Sequence, residues 1–140
     1  GLKHSPLAIG NIRVFAKMGL ACFVGHSNLM LPALTIGAVG CIDGPPNIAP
    51  ELWVELWDAY NAGDLGRAEA AQDKASELNV LVNKFGLHAT VKAAISERLG
   101  IDCGAPRPPG QPLSPQDRAE VVRTLAALGI SSVAVPQADD

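Results

Sequence analysis

The chain has 140 residues, of which 48% are hydrophobic and 18% are charged, and its formal net charge is -3. This length and composition fit one folded domain or part of one, and they exclude the low hydrophobicity and high charge that are typical of disorder. Because the lysines and arginines are scattered and form no basic run, the sequence predicts neither nucleic-acid binding nor a polybasic membrane anchor.

The cysteines favour a reducing compartment. Cys22, Cys41 and Cys103 are odd in number and lack the CxxC spacing of a zinc or redox pair, so we expect reduced, mostly buried thiols and a cytoplasmic location. The apolar stretch at 29–42 is interrupted by proline and glycine and falls short of the ~20 residues that cross a bilayer. We therefore expect no membrane span, and the first residues do not resemble a signal peptide.

Three short apolar runs occur in the first part of the chain. They are "GLK" (1–3), "ACFVG" (21–25) and "AVGCI" (38–42). Each run is bounded by glycine or polar residues, as is typical of parallel strands that are buried on both faces. The sequence therefore predicts three strands here.

Two helical patterns connect these runs. Residues 9–16 carry apolar side chains at helical spacing, and Gly19 follows as a residue that commonly ends a helix. Asn28 is predicted to be the N-cap of a second helix, which has Pro32 in its first turn and ends at Gly37. The order strand, helix, strand, helix, strand predicts a parallel sheet built from βαβ units.

From Pro50 onward the sequence predicts helices. Helical patterns cover 50–64, 65–86, 88–100 and 114–129, and a proline-rich, irregular linker covers 103–112. Trp53 and Trp57 lie four residues apart, which places them on one helix face and favours core packing over a stacking site. We divide the chain into 1–49, which holds the strands, and 50–140, which is helical.

Three polar residues stand at the ends of the predicted strands: Lys3, His26 and Asp43. The carboxyl ends of parallel strands meet at one edge of a sheet, where α/β proteins place their active sites, so we expect these side chains to share a cleft. His26 and Asp43 are also residue types that form hydrogen bonds within loops, and that interpretation stays open. His4 and Ser5 share the same rim and are assigned no chemistry.

Lys3 carries the sharpest hypothesis. Removal of an ammonium group from water disfavours its charged form, and a neutral lysine amine is a nucleophile that attacks the ketone of a 2-oxo acid to form a Schiff base. The sequence contains no HExxH motif, no clustered Cys and His, and no GxGxxG or Walker loop, so it predicts no metal and no other cofactor.

These residues resemble the dihydrodipicolinate synthase and N-acetylneuraminate lyase family of class I, Schiff-base-forming aldolases. "GLK" resembles the sixth strand with its Schiff-base lysine, and "FVGHSNLMLPALTIGAVGCIDGPPNIAPELWVEL" (23–56) resembles strand seven, helix seven, strand eight and the start of helix eight. The resemblance implies an α/β fold: the C-terminal part, strands 6–8, of a (β/α)8 TIM barrel, followed by a C-terminal helical extension. Residues 1–49 would belong to the barrel, and 50–140 would form its last helix and the extension.

The resemblance also implies site residues and an activity. Lys3 is expected to be the catalytic lysine, and Ile42 to contact the pyruvate part of the substrate through its backbone. Gly25, His26 and Asp43 are expected to bind substrate beside them. The implied activity is that of a lyase, which performs aldol cleavage or condensation, or dehydration, of a small-molecule 2-oxo acid.

Departures from the family pattern bear on the substrate. Sialic acid lyases carry an acidic pair after strand seven, where this chain has Ser27 and Asn28, which argues against sialic acid. Asp43 with Pro45 and Pro46 is unlike the usual eighth strand of the lysine-biosynthesis enzymes. A 2-keto-3-deoxy sugar acid is at least as plausible a substrate.

The family's first five strands have no counterpart here, nor does its proton-relay tyrosine, because Tyr60 lies in a predicted helix. We expect these strands to come from a preceding segment or a separate chain, and we expect a homo-oligomer. Without them, the apolar residues Phe23, Val24, Val39 and Ile42 are predicted to face water. The alternative is a non-catalytic half-barrel module that uses its open sheet edge for assembly.

Overall fold

The computed structural model describes residues 1–130 and 132–133. The elements, in chain order, are β1 (Leu2–His4), α1 (Asn11–Lys17), β2 (Cys22–Val24), α2 (Met30–Thr35), β3 (Gly40–Cys41), α3 (Pro50–Asn61), α4 (Leu65–Phe85), α5 (Leu87–Leu99) and α6 (Pro115–Ala127). Single turns of 3-10 helix occupy Ser27–Leu29 and Pro45–Asn47. The predicted order of three strands and their connecting helices is therefore confirmed, although the strands are shorter than the apolar runs.

The three strands form one parallel sheet in the order β1-β2-β3. Lys3 pairs with Phe23, and Phe23 pairs with Gly40, so the strands are in a fixed register. Helix α1 packs against β2 and helix α2 against β3, as crossover helices do in βαβ units. Ile12 of α1 is fully buried in the core that results.

Within the described part, the chain divides into two compact units, residues 1–80 and residues 81–140. The first holds the sheet with α1, α2 and α3, and the second holds α5 and α6. Helix α4 contributes residues to both units. The partition at residue 50, between a barrel part and an extension, stays a prediction.

Helix starts follow their local sequence signals. Pro50 is the first residue of α3, where a fixed φ and a missing N–H cost nothing. Ser114 is the N-cap of α6, since its Oγ accepts a hydrogen bond from the Asp117 amide at 3.1 Å. The linker at 103–112 contains neither helix nor strand, as predicted.

One predicted cap is wrong. Asn28 is exposed and lies inside the 3-10 turn, while Leu29 precedes α2 and makes no side-chain cap hydrogen bond. The amide of Leu31, in the first turn of α2, donates instead to Oε1 of Gln72 at 2.9 Å. A distant glutamine therefore satisfies an N-terminal amide that a local asparagine was expected to serve.

Burial corrects or confirms several further expectations. Trp53 is 4% exposed, so its core role is confirmed, whereas Trp57 is half-buried. All three cysteines are free thiols, but of them Cys22 alone is fully buried. Among the helices of the described residues, none combines the length and the apolar character that a membrane crossing requires.

Candidate active site

The carboxyl ends of the three strands lie side by side. The ladder extends one residue beyond each of the last two strands, because the Gly25 amide donates to the carbonyl of His4 at 2.7 Å and the Ile42 amide donates to the carbonyl of Val24 at 2.9 Å. Parallel strands end at the same edge, so Lys3, Gly25 and Ile42 are brought together there. His26 and Asp43 follow directly in the chain.

The two faces of the sheet are covered differently. Side chains alternate along a strand, so Lys3 and Phe23, which pair in register, point to one face, while His4 and Val24 point to the other. The face with His4 and Val24 is buried against helices, with exposed fractions of 7% and 0%. We call this the closed face and the opposite one the open face.

Lys3 is exposed on the open face, and Phe23 beside it is half-buried. Burial was expected to favour the neutral amine of Lys3, but the described residues do not supply that burial, because no described layer covers this face. The expectation that Phe23 and Ile42 face water holds for the side chain of Ile42, which is 48% exposed. It is wrong for Val24, because the alternation turns Val24 toward the helices.

Gly25 is placed where a side chain would not fit. A Cβ built on Gly25 would lie 2.9 Å from Cε of Lys3 and 2.8 Å from Cα of Ser5. Real Cβ atoms essentially never approach other atoms this closely, so the glycine permits the Lys3 side chain to pass across the end of β2. This gives a physical reason for a residue that was predicted as part of the site without one.

Asp43 connects the loops that follow β2 and β3. Its Oδ2 accepts a hydrogen bond from the Ser27 amide at 2.8 Å, and its Oδ1 accepts one from the Gly44 amide at 2.8 Å. The loop hydrogen bonding that had been left open as an alternative is therefore present. Each carboxylate oxygen has a second lone-pair site, so these bonds leave acceptor capacity.

The other rim residues have simpler surroundings. His26 is half-buried and adopts an extended backbone immediately before the 3-10 turn. The N–H of Ile42 is engaged by Val24, so a backbone contact from Ile42 to a substrate would use its carbonyl oxygen. His4 Nε2 lies 3.1 Å from the Ala8 carbonyl, which agrees with the structural role left to it.

Two thiols lie under the sheet on the closed face. Burial raises the pKa of Cys22. Burial, and to a smaller extent the negative charge of Asp43, raises the pKa of Cys41 to about 12. Neither thiol is poised as a nucleophile at neutral pH. Across residues 1–130 and 132–133, the side chains of His, Cys, Asp and Glu form no group of three or more that could hold a metal ion.

Sequence reasoning missed the residues that support the rim from behind. Gln72 is 8% exposed and lies on a face of α4 otherwise made of buried alanines and leucine, including Ala68, Ala75 and Leu78. A single long polar residue in such a face was the available signal, because a buried amide requires hydrogen-bond partners. Its partners lie in the loop after β2.

Comparisons with known proteins agree on one family. The model of the dihydrodipicolinate synthetase family matches residues 5–128, a span that begins two positions after Lys3. An uncharacterized DapA-like lyase of Halobacterium salinarum is 38% identical over 117 residues, which are 84% of this chain and 38% of that protein. The 4-hydroxy-tetrahydrodipicolinate synthase 1 of Streptomyces coelicolor is 37% identical over 122 residues, which are 86% of this chain and 39% of that protein.

The fold comparison extends the same result. The solved structure of N-acetylneuraminate lyase (sialic acid aldolase) from Aliivibrio salmonicida matches with a TM-score of 0.83 and 26% identity, and the match covers 93% of this chain and 44% of that chain. The small parallel sheet and its helices therefore correspond to part of a TIM barrel. The chain spans about two fifths of the length of the curated relatives it matches.

Proposed function

The chain belongs to the dihydrodipicolinate synthetase family, and we propose that it supplies strands six to eight of a (β/α)8 barrel whose Lys3 forms a Schiff base with a 2-oxo acid. Residues 1–49 then contribute the barrel strands, and 50–140 contribute the last barrel helix and the extension. Lys3 is the catalytic residue of this proposal. Gly25, His26, Ile42 and Asp43 surround the bound substrate.

The observation that carries the proposal is the packing of Lys3 over Gly25. The lysine projects from the open face at the carboxyl edge of a parallel sheet, the edge at which barrel enzymes place their catalytic residues. The absence of a Cβ at Gly25 leaves room for the lysine stem between β1 and β2. A lysine that served as a solvated surface charge would not require this accommodation.

The chemistry follows from the amine. The neutral Nζ of Lys3 attacks C2 of the 2-oxo acid, the carbonyl oxygen leaves as water, and a carbon–nitrogen double bond forms. The protonated nitrogen then draws electron density from the adjacent C3, which permits loss of a proton, cleavage of the next carbon–carbon bond or loss of a hydroxyl group. No metal is required for these steps.

We infer that the second part of the substrate is polyhydroxylated, as in a 2-keto-3-deoxy sugar acid. His26 and the remaining acceptor sites of Asp43 can form hydrogen bonds to hydroxyl groups. Ser27 does not take the role of an acidic sugar ligand, because it is fully buried and its hydroxyl faces Asn79. A cytoplasmic location and assembly into a homo-oligomer are further predictions for the whole protein.

The outer edge of β3 supports the inference of additional strands. In the described chain β3 pairs with β2 alone, and a groove of about 270 Å³ borders it, lined in part by Val39, Val54 and Trp57. Val39 and Val54 are 38% and 56% exposed, so an apolar surface accompanies unpaired backbone groups. We propose that the first strand of the barrel pairs here, from the same gene product or from another chain.

The experiment is borohydride trapping on the intact natural protein that contains this sequence. A panel of 2-oxo acids, beginning with pyruvate, is incubated with the protein and reduced, and the mass increase is measured. Lys3→Arg should abolish trapping although it keeps the charge, because a guanidinium group stays protonated and does not attack a carbonyl. Lys17→Arg, which changes an exposed lysine of α1, is the matched control and should trap normally.

A protein that traps none of the panel acids while folded and assembled would refute the enzyme and leave the non-catalytic half-barrel module. Trapping that survives in the Lys3→Arg variant would refute the assignment of Lys3 while keeping the Schiff-base chemistry.

A further inference from the structure

The loop that follows β2 is held at one buried residue. Ser27, the neighbour of His26 in the chain, is 0% exposed. Its amide donates to Asp43 at 2.8 Å, and its hydroxyl donates to Oδ1 of Asn79 at 3.3 Å. Its carbonyl accepts from Nε1 of Trp53 at 3.2 Å. Every polar atom of Ser27 is therefore engaged, and its partners come from three different elements.

Gln72 of α4 completes this arrangement. Its Nε2 donates to the Ser27 carbonyl at 3.4 Å, and its Oε1 accepts from the Leu31 amide at 2.9 Å. One side-chain amide thus spans both ends of the short segment between β2 and α2. We call Ser27, Asp43, Trp53, Gln72 and Asn79 the Ser27 junction. All five lie in the compact unit of residues 1–80.

The burial of Gln72 makes its contacts obligatory rather than incidental. An amide that is 8% exposed loses water on folding, and the loss is offset only while the donor and the acceptor are both paired. Helix α2 has no side-chain cap of its own at Leu29. The segment that begins with His26 therefore depends on a side chain 41 residues away along the chain for the start of its helix.

We propose that Gln72 is a positioning residue of the candidate active site. Its amide holds Ser27 and Leu31 and thereby fixes His26 at the carboxyl edge of the sheet. The inference rests on the proposed function and deepens it: helix α4, outside the strands, sets how the second, polyhydroxylated part of the substrate is accepted. Formation of the Schiff base at Lys3 does not depend on Gln72, because Lys3 lies on β1 and contacts β2 at Gly25.

The first test separates these two steps in the intact natural protein. The probes are pyruvate for adduct formation and a series of hydroxyaldehydes for the second step. In the Gln72→Leu variant we expect pyruvate trapping to stay within about twofold, and the KM of the preferred aldehyde to rise about five- to tenfold, the factor of one lost buried hydrogen bond. Ser76→Ala, which removes a partner of Gln72 inside α4 and leaves the loop contacts, should change neither.

A second measurement does not depend on catalysis. Hydrogen exchange at the Leu31 amide should accelerate about tenfold in Gln72→Leu, since its acceptor is removed, while exchange at the Val24 amide stays unchanged. If exchange at Leu31 and the aldehyde KM are both unaltered in a folded Gln72→Leu protein, Gln72 does not position the loop and the inference is overturned.

Gln72→Glu supplies a rescue that a merely structural role would not show. The ionised carboxylate keeps the acceptor for Leu31 and opposes the Ser27 carbonyl, whereas the protonated carboxyl again presents one donor and one acceptor. In a Trp57→Phe background the emission of Trp53, which shares the Ser27 carbonyl, should therefore titrate in Gln72→Glu and return to the Gln72 value on acidification. A pH-independent emission would count against the proposal.

The two hypotheses fail in different ways. If the unmodified protein traps no 2-oxo acid, the proposed function is wrong, and the claim about substrate selection is overturned with it. If the unmodified protein traps pyruvate but Gln72→Leu shows the same aldehyde preference as Ser76→Ala, the proposed function stands and the inference about Gln72 is overturned.

Discussion

The closed face and the open face of the sheet differ in what their side chains do. On the closed face, Val24 and Cys22 are fully buried against helices, and the raised pKa of Cys22 follows from that burial. On the open face, Lys3 is exposed and Ile42 is 48% exposed, although both belong to the same short strands or their ends. Adjacent residues of one strand therefore serve stability and chemistry separately.

This separation predicts that substitutions on the two faces have different consequences. A change on the closed face should lower the free energy of unfolding and leave the adduct rate of the folded protein unchanged. A change on the open face should lower the adduct rate and leave stability nearly unchanged.

The largest effect is expected at Gly25. In Gly25→Ala the new methyl group must displace Lys3 or Ser5, so the amine moves by an amount of the order of 1 Å, and we expect the rate of pyruvate trapping to fall about a hundredfold. Gly10→Ala is the matched control, because a Cβ at Gly10 meets no atom within 4 Å and its φ of -53° suits any residue. Equal trapping rates in the two variants would show that Gly25 does not accommodate the lysine.

A smaller effect is expected on the closed face. Val24→Ala removes buried methyl groups and should lower the free energy of unfolding by about 2–3 kcal/mol, while the folded variant traps pyruvate at the normal rate. Val14→Ala, at a position that is 56% exposed on α1, should change stability by less than about 0.5 kcal/mol. Denaturant unfolding measures both, and similar costs in the two variants would contradict the assignment of faces.

The smallest effect concerns pH. The pKa of Cys41 is raised from its ordinary value of 9.0 to about 12, mainly by burial and then by Asp43. The folded state thus favours the protonated thiol. The contribution to stability is fully present below pH 9 and is lost as pH rises toward about 12, since the unfolded thiol ionises first.

Iodoacetamide labelling of Cys41, followed by mass spectrometry across this pH range, checks that direction. Asp43→Asn should lower the pKa of Cys41 and advance the labelling profile, because it removes a neighbouring negative charge. A profile with an ordinary midpoint near pH 9 in the unmodified protein would contradict the burial of this thiol.

Local patterns were sufficient for the elements and insufficient for the contacts between them. Apolar runs predicted three strands, and Pro50 and Ser114 predicted two helix starts that the structure confirms. The face to which Val24 points was predicted wrongly, because a continuous apolar run does not show which of its residues face the helices. Only the register with neighbouring strands decides it.

The support of the rim could not be predicted from local sequence either. Asn28 had the residue type and the position of an N-cap, yet Gln72 serves α2 from another helix. Hydrogen bonds between a side chain and a distant backbone have no periodicity in the sequence, and competing partners are brought together only by packing. The catalytic residue was easier to predict, because a lysine at the end of a strand combines a position and a chemistry that are both local.

The measurement that tests the central claim most directly is a peptide map of the intact natural protein after reduction with borohydride in the presence of pyruvate. The sequence offers five lysines, Lys3, Lys17, Lys74, Lys84 and Lys92, so each possible site can be distinguished by its peptide. We predict that the reduced pyruvate adduct is found on Lys3 and not on the other four. An adduct on any of those four, with Lys3 unmodified, would contradict the account.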